Sequence, residues 1–277
     1  MFHLGIDGGG TGCRAVLADP QGHILAHAEA GSANIASDYA GTRQAIMSVA
    51  AQVMAGHCAP AQVRAVLGLA GANLSGAAGR LQADLPFAAR VVQDVTTSVR
   101  GALGAQDGIV AAIGTGSVFA RQIGGQVHAI GGWGLRLGDE TSGAWIGQRL
   151  VARVTRALDG FVPMTPMLRD LARDLGGPAG IVGFSLRATP ADWARYAPRV
   201  LSNPSAADPA AQTLRTEIHA EIRAAIMLLQ PEAVLPVTWI GGLGPLLALP
   251  DWPERAAQGS ALDGALALAQ EETTWKS

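Results

Sequence analysis

The chain has 277 residues, a formal net charge of −2 and 36 glycines. That length is enough for two domains of modest size with buried cores. No uninterrupted apolar run reaches about 18 residues, which excludes a membrane-spanning helix. The first residues lack a basic region and an apolar signal core, so we expect a cytoplasmic protein. No basic run of the kind that follows a phosphodiester backbone is present, which argues against nucleic acid as a partner.

Cysteine and lysine are both scarce, and this excludes several kinds of site. Two cysteines, Cys13 and Cys58, are too few for a disulfide framework, a thiolate zinc site or an iron–sulfur cluster. Of the 20 basic residues, 19 are arginine and the one lysine is Lys276. The chain therefore lacks the internal lysine of a Walker loop and of a protein kinase. If it binds ATP, backbone amides, hydroxyls and a metal ion must hold the phosphates.

The predicted elements alternate between strands and helices. In chain order, the first series has strands at 2–7, 14–19, 23–30, 63–69 and 89–93, and helices at 38–56, 75–85 and 94–103. The second series has strands at 108–113, 118–123, 126–130 and 234–240, and helices at 142–158, 164–175, 190–201, 208–229 and 260–271. Both series open with a strand, a glycine-rich hairpin, a second strand, a turn and a third strand. This repetition predicts two related α/β domains, 1–110 and 111–277, with the final helix a candidate to pack back on the first.

The sharpest motif is a glycine-rich run that follows the first predicted strand and reads Asp7-Gly8-Gly9-Gly10-Thr11-Gly12. Consecutive glycines let backbone N–H groups converge on an anion, because no Cβ atom blocks close approach or positive φ. Thr11 adds a hydroxyl donor, and Asp7 is placed to hold Mg²⁺ through water. The alternative is a plain glycine-rich hairpin. No glycine loop completes the GxGxxG fingerprint, which disfavours NAD.

Two further glycine loops follow predicted strands, and they read Gly114-Thr115-Gly116-Ser117 and Gly241-Gly242-Leu243-Gly244. In the second series of elements, the loop at 114–117 occupies the place that the Asp7 run has in the first series. We therefore expect these two hairpins to clamp a triphosphate. The loop at 241–244 leaves room for a flat base or ribose against the backbone. Taken alone, each is also compatible with a common hairpin or a strand-to-helix turn.

Asp94 stands at the end of an apolar strand, where ligand sites in α/β sheets tend to lie. A carboxylate at this place can accept the proton of an attacking hydroxyl, as a general base. The alternative role is to cap the helix that follows, although Thr96 or Thr97 could fill it instead.

The segment 131–142 has an unusual composition, with Trp133 between Gly132 and Gly134 and then the paired acids Asp139 and Glu140. An aromatic face suits stacking on a sugar ring, and carboxylates suit its hydroxyls. In the alternative, Trp133 is a core residue and Asp139 or Ser142 caps the next helix.

Six motifs occur in an order that resembles the BadF/BadG/BcrA/BcrD-type ATPase family, and within it the N-acetylglucosamine and glucosamine kinases. They lie at 5–11, 92–94, 113–117, 131–134, 137–143 and 240–244. The resemblance places the chain in the actin, heat-shock-protein and sugar-kinase superfamily. It implies an α/β fold of two ribonuclease-H-like (actin-like ATPase) domains with ATP and sugar in an interdomain cleft. It also implies transfer of phosphate from ATP to the 6-hydroxyl of N-acetylglucosamine or glucosamine, with Mg²⁺ as the metal.

The resemblance assigns roles to individual residues. Phosphates are assigned to Thr11, Thr115 and the glycines beside them, adenosine to 241–244, and the base toward the 6-hydroxyl to Asp94. Sugar contacts are assigned to Asn34, Asp94, Ser117, Gly132, Trp133, Gly134 and Asp139. The chain departs from its relatives in having Gly12 and Cys13 where a lysine usually follows the first glycine run, and Gln93 where Asn is common.

Two other classes of function stay open at this point. An ATPase that activates a reductase would share the ATP loops, but it needs cysteines for a bridging cluster, and Cys13 and Cys58 are not a convincing pair. A non-catalytic sugar sensor is the second, although the sequence shows no appended DNA-binding helix pair. The expected partners are an amino sugar and ATP, without nucleic acid or membrane, and a homodimer is compatible with the sequence.

Overall fold

The structure is a computed structural model that describes residues 1–72, 76–202, 207–271 and 275. Its strands are β1 (Phe2–Gly8), β2 (Cys13–Ala18), β3 (Ile24–Ala30), β4 (Val63–Leu69), β5 (Ala88–Gln93), β6 (Gly108–Ile113), β7 (Ser117–Ile123), β8 (Gln126–Gly131) and β9 (Val237–Ile240). Its helices are α1 (Tyr39–Met54), α2 (Ala77–Asp84), α3 (Asp94–Leu103), α4 (Gly143–Leu158), α5 (Pro166–Asp174), α6 (Gly177–Ser185), α7 (Pro190–Ala194), α8 (Ala197–Leu201), α9 (Pro209–Leu229) and α10 (Ala261–Gln270). Residue 75, where the second helix is predicted to begin, lies outside the described residues.

Two helical predictions are wrong, and proline explains both. The single helix predicted over 190–201 is two short helices, because the ring of Pro198 cannot follow a helical turn without clashing with the carbonyl of Ala194. Helix α6 was not predicted, because Gly176, Gly177 and Pro178 together are typical of a turn. Pro178 instead occupies the first turn of α6, where its missing N–H costs nothing.

The two sheets share one strand order, which confirms the α/β fold predicted from the repeated pattern. The five-stranded sheet runs β3-β2-β1-β4-β5, and the four-stranded sheet runs β8-β7-β6-β9. In the first, β1 pairs antiparallel with β2 and parallel with β4. In the second, the equivalent strand β6 pairs parallel with β9. In each sheet the first strand therefore lies between its hairpin partner and a parallel neighbour, with a glycine loop at its carboxyl end.

The chain divides into two compact units. Unit 1 consists of Met1–Asp107, Gln122–Val127 and Ala256–Ser277, and unit 2 of Gly108–Arg121 and His128–Arg255. The core of unit 1 contains fully buried residues of β1, β4 and α1, such as Ile6, Leu67 and Ile46. The core of unit 2 contains residues of β6, α4 and α9, such as Ile109 and Ile146. None of the described helices combines the length and the apolar character that a membrane span needs.

Helix α10 is an integral part of unit 1, where it packs against α3 and β1. The approach is so close that a Cβ atom at Gly101 of α3 would collide with the carbonyl oxygen of Ser260. A Cβ atom at Gly5 of β1 would lie 2.6 Å from the backbone nitrogen of Leu266. Glycine at these two positions lets backbone meet backbone, and the last helix covers one face of the first sheet.

Candidate active site

The glycine run after Asp7 forms the open tip of the β1–β2 hairpin. The Gly9 N–H donates to the Gly12 carbonyl at 2.9 Å, and the Gly9 carbonyl accepts from the Ala33 N–H at 2.8 Å. A Cβ atom at Gly9 or Gly10 would meet nothing within 4 Å, and neither residue has a positive φ. The turn itself therefore does not require glycine at these positions. The missing side chains leave the backbone around Gly10 accessible, although the Gly9 amide is already bonded, and this favours an anion loop over a plain hairpin.

The other members of this run have different surroundings. Gly8 is buried, and a Cβ atom there would lie 2.7 Å from the Leu69 side chain, so its glycine is a packing requirement. Thr11 is exposed and presents its hydroxyl to solvent. Gly12 lies beside β3, where a Cβ atom would be 3.7 Å from the Ala30 carbonyl oxygen.

Asp7 forms an ion pair with Arg14. The two residues are directly opposite on β1 and β2, and Arg14 Nη2 donates to Asp7 Oδ2 at 2.5 Å. The Asp7 side chain is 17% exposed and that of Arg14 is 50% exposed. Among the residues that the structure describes, no group of three or more His, Cys, Asp or Glu side chains could enclose a metal ion. A single carboxylate at the edge of the sheet fits Mg²⁺, which keeps several waters and takes further oxygens from substrate phosphates.

Asp94 is the first residue of α3, directly after β5. Strands β1, β4 and β5 are parallel, so Asp7 and Asp94 both stand at the carboxyl edge of this set. Burial raises the pKa of the Asp94 carboxyl, a hydrogen bond from the Val95 N–H at 2.9 Å opposes the rise, and the negative charge of Asp7 adds to it. The N-cap residue of α3 is Gln93, whose side chain makes no capping bond, and Asp94 is the acidic residue of the first helical turn. A carboxylate with a raised pKa is a better general base.

Asn34 extends the same edge of unit 1 through a parallel bridge to Ala70, the residue after β4. Its Oδ1 accepts hydrogen bonds from the N–H groups of Ala36 and Ser37 at 3.0 and 3.3 Å, which is an Asx turn. The amide oxygen is therefore engaged within the loop. A sugar contact from Asn34 would use the Nδ2 donor.

In unit 2, the structure brings the other two glycine loops together. They follow β6 and β9, which are parallel neighbours, and the carbonyl oxygen of Ile113 accepts from the N–H groups of Leu243 and Gly244 at 2.9 and 3.1 Å. Gly241 has φ +83°, and a Cβ atom there would collide with the same carbonyl oxygen. Packing against β6 therefore requires glycine at 241. A Cβ atom at Gly242, by contrast, would meet nothing within 4 Å.

The loop Gly114-Thr115-Gly116 rests on the first turn of α4. The Gly114 N–H donates to the Gly116 carbonyl at 2.9 Å, and Thr115 is exposed. The carbonyl of Gly114 accepts from the Gly143 N–H at 2.8 Å, and that of Thr115 accepts from the Ala144 N–H at 3.2 Å. The first amides of α4 are thus already bonded within the protein. A phosphate at this loop would meet the Thr115 hydroxyl and the amides of the loop itself.

The segment 131–142 places its aromatic residue in solvent. Trp133 is 69% exposed, which rules out the alternative of a core residue. Gly132 and Gly134 flank it with φ of +71° and +81°. Asp139 Oδ1 accepts from the Gly134 N–H at 2.9 Å, and Ser142, not Asp139, caps α4 by accepting from the Trp145 N–H at 3.1 Å.

Two contacts hold the segment 131–142 against the β6–β7 hairpin. A Cβ atom at Gly116 would lie 2.9 Å from Asp139 Oδ2, so the Asp139 carboxylate lies against the hairpin. Ser117 is buried, and its hydroxyl donates to the Glu140 carbonyl at 2.6 Å. The Ser117 side chain, predicted to contact the sugar, therefore holds the segment in place in this structure.

Thr141, which sequence reasoning missed, is the most strained residue of the site. It is fully buried with φ +72°, and its Oγ1 has no hydrogen-bond partner. Asp139, two residues earlier, also has a left-handed backbone, with φ +58°. A β-branched residue with positive φ is an outlier, and such strain concentrates at functional sites. The presence of a β-branched residue in a glycine-rich loop is the signal that could have identified it.

The chain matches the model of the BadF/BadG/BcrA/BcrD ATPase family over residues 4–243. It belongs to this family. Glucosamine kinase GspK of Vibrio cholerae serotype O1 is 29% identical over 285 residues, which cover 97% of this chain and 95% of that protein. A solved structure of a candidate N-acetylglucosamine kinase from Chromobacterium violaceum is 34% identical, with a TM-score of 0.86 over 98% of this chain and 99% of that one.

A more distant relative shows the fold alone. A ROK family glucokinase from Streptomyces griseus, solved with glucose and AMPPNP, is 18% identical, with a TM-score of 0.56 over 98% of this chain and 99% of that one. The family resemblance and the actin-like α/β fold predicted from the sequence are both confirmed.

Proposed function

We propose that this member of the family transfers the γ-phosphoryl group of ATP to the 6-hydroxyl of an amino sugar, N-acetylglucosamine or glucosamine. The enzyme class is an ATP-dependent sugar kinase, because the chain belongs to an ATPase family and relatives aligned over nearly their whole length are named as sugar kinases. The observation that carries the proposal is Asp94. It is a carboxylate with a raised pKa, on the sheet edge that also carries an accessible glycine loop.

The chemistry assigned to Asp94 is removal of one proton. As the sugar O6 attacks the γ-phosphorus, its hydroxyl proton passes to the Asp94 carboxylate. The O6–phosphorus bond forms, the bond from the γ-phosphorus to the bridging oxygen breaks, and ADP leaves. Phosphoryl transfer depends mainly on positioning and charge neutralisation. One carboxylate for the proton and accessible amides for the phosphates are the protein groups that this proposal assigns to the reaction.

The ATP contacts are proposed separately for each unit. In unit 1, the Thr11 hydroxyl and the amides of the run 8–12, apart from the Gly9 amide that donates to Gly12, contact phosphate oxygens, and Asp7 would hold Mg²⁺ through water. In unit 2, the run 114–116 contacts phosphates and the run 241–244 contacts adenosine. When bound, Mg²⁺ neutralises negative charge on the phosphates.

The sugar contacts are proposed for both units as well. The exposed ring of Trp133 stacks on the apolar face of the sugar, and the Asp139 carboxylate accepts from its hydroxyls. Asn34 contributes its Nδ2 donor. Gly132 and Gly134 set the path of the loop that carries the Trp133 ring, and Ser117 holds that loop.

The activator alternative is disfavoured by the state of the cysteines. Burial, with a smaller contribution from the Asp7 charge, raises the pKa of the Cys13 thiol to about 12. Burial also raises the pKa of the Cys58 thiol. Iron–sulfur clusters bind thiolates. Because burial disfavours the thiolate form of both side chains, Cys13 and Cys58 are poorer cluster ligands than accessible cysteines.

The test is ADP release measured over glucosamine, N-acetylglucosamine, glucose and a buffer blank. We expect release that depends on an amino sugar, and a product whose NMR spectrum shows phosphorus coupled to the C6 protons. Asp94→Asn should lower kcat by roughly 10²–10⁴ and leave ATP binding intact. Asp84→Asn, an aspartate of α2 bonded to Tyr39, is the matched control. Sugar binding without sugar-dependent ADP release would favour a sensor, and phosphate on another carbon would overturn the 6-hydroxyl assignment.

A further inference from the structure

Positive charge is scarce around the first phosphate loop. Within residues 1–42, Arg14 is the one arginine and lysine is absent. It stands two residues after Gly12, at the point where β2 leaves the hairpin tip. A loop that binds a triphosphate with amides alone leaves much negative charge to be balanced, so the role of this single cation matters.

Arg14 lies in a row of acidic neighbours. Its partners directly across the sheet are Asp7 on β1 and Glu29 on β3, so the three side chains share one face. One guanidinium N–H, on Nη2, donates to Asp7 Oδ2. The bond holds the guanidinium beside Asp7, which lies one residue before the end of β1 and two residues before Gly9 of the glycine loop.

Stability alone is a weak reason for this ion pair. The Asp7 side chain is 17% exposed but that of Arg14 is half exposed, and an ion pair that is open to water on one side contributes little to folding. A guanidinium carries five N–H donors in a planar fork, which matches the oxygens of phosphate. Because Asp7 takes a single one of those donors, the fork can hold Asp7 and a phosphate at the same time.

We propose that Arg14 is the phosphate-binding cation of the first loop: one of its N–H groups stays on Asp7, and others donate to a phosphate oxygen of ATP. The inference rests on the proposed function in taking ATP as the ligand. It goes beyond that function by assigning to an arginine of β2 the charge that the glycine run lacks.

The test is calorimetric binding of ATP, ADP and adenosine without sugar. Arg14→Gln should weaken ATP and ADP about ten- to a hundredfold and leave adenosine unchanged, since adenosine carries no phosphate. Arg14→Lys should recover part of the loss. Arg43→Gln removes a comparably exposed arginine that pairs with Asp84 in the same unit, and it should change none of the three affinities. Melting temperatures establish that each variant is folded.

Repeating the measurement in an Asp7→Asn protein separates direct contact of Arg14 with phosphate from an effect that passes through Asp7. If Arg14 only positions Asp7, Arg14→Gln will have no further effect on ATP affinity once Asp7→Asn is present, and the proposal is overturned. If Arg14 contacts phosphate, the loss persists in that background. The two proposals fail independently. Arg14-dependent ATP binding without any sugar phosphorylation refutes the kinase, and an active sugar kinase whose ATP affinity ignores Arg14 refutes this inference.

Discussion

The hydroxyl of Ser117 donates a 2.6 Å hydrogen bond to the backbone carbonyl of Glu140. This bond joins the start of β7 to the segment that carries Trp133 and Asp139. Because the hydroxyl is buried, water does not replace it easily, and the carbonyl would lose its partner if the side chain were removed. The relationship makes the geometry of the predicted sugar segment depend on one serine.

Replacing this hydroxyl should loosen the segment selectively. We expect Ser117→Ala to lower the free energy of unfolding by about 1–2 kcal/mol and to raise the KM for the sugar about tenfold, with a smaller change in the KM for ATP. Steady-state kinetics over both substrates and urea unfolding check this. Ser185→Ala removes an exposed hydroxyl bonded to the Val182 carbonyl in the same unit and should change neither constant. Equal rises in both KM values would contradict the expectation.

The protein should be more stable with glycine than with threonine at position 141. Thr141→Gly relieves about 1–2 kcal/mol of left-handed strain and removes a buried unpaired hydroxyl, while the added chain entropy of glycine costs about 0.5–1 kcal/mol. We expect a net gain of about 1 kcal/mol in urea unfolding. Thr141→Ala removes the hydroxyl but keeps a Cβ atom at positive φ, so it should gain less. A larger gain from alanine than from glycine would show that strain is not the main cost.

Asp94 should weaken the fold at neutral pH. Its pKa in the folded protein is raised, chiefly by burial, so between the ordinary aspartate pKa of about 3.9 and the raised value the folded state binds more protons than the unfolded state. The free energy of unfolding therefore falls as pH rises through that window. An asparagine side chain cannot ionise, so Asp94→Asn should be more stable than wild type at pH 7 although it turns over far less.

The measurement is urea unfolding of both proteins from pH 4 to pH 8. The stability difference between them should grow as pH rises above the ordinary aspartate pKa, because the folded protein holds the Asp94 proton to higher pH than the unfolded chain does, and it should be smallest at the acid end. The acid limb of kcat/KM should likewise lie above the ordinary aspartate range, because the base must be ionised to accept a proton. A stability difference that does not vary with pH would remove the link between burial and the base.

Alanine should affect ligand binding at one glycine and folding stability at another. Gly10→Ala should leave the fold intact, because the new methyl group meets nothing within 4 Å, but it should weaken ATP binding about tenfold by shielding the amides. Gly241→Ala should cost about 2 kcal/mol or more, because φ is +83° and the methyl group collides with the Ile113 carbonyl. Gly79→Ala on α2 is the control for the general effect of alanine, and it should not change ATP affinity. A destabilised Gly10→Ala protein would show that the turn needs that glycine.

The fold was largely predictable because the residues that end its strands and form its turns are close together in the sequence. Each hairpin has glycine at its tip, and the strands on either side are six or seven residues long, so the β1–β2–β3 and β6–β7–β8 meanders follow from short-range patterns. Proline defeated the same reasoning twice. Pro178 lies in the first turn of α6, where the neighbouring glycines had indicated a turn. Pro198 separates α7 from α8, although the spacing of apolar residues indicates one continuous helix.

The site was predictable in its residue types and less so in its geometry. The positions of the glycine loops and of Asp94 at strand ends follow from chain order. The Asp7–Arg14 pair depends on hairpin register, which spacing alone does not fix. The left-handed backbone of Thr141 depends on the path of the whole segment between β8 and α4. Both are products of tertiary structure, and both change the chemistry expected of the loops.

The path of the chain through unit 1 has a consequence for biosynthesis. The strand that bears Asp7 is made long before α10, which covers one face of that strand and of α3 and is not complete until residue 270. While the ribosome adds the intervening residues, β1 lacks the backbone-to-backbone packing that Gly5 and Gly101 make possible. Contacts between such distant parts of a chain form late in folding. The strand that leads into the first glycine loop is thus synthesised well before the helix that covers it.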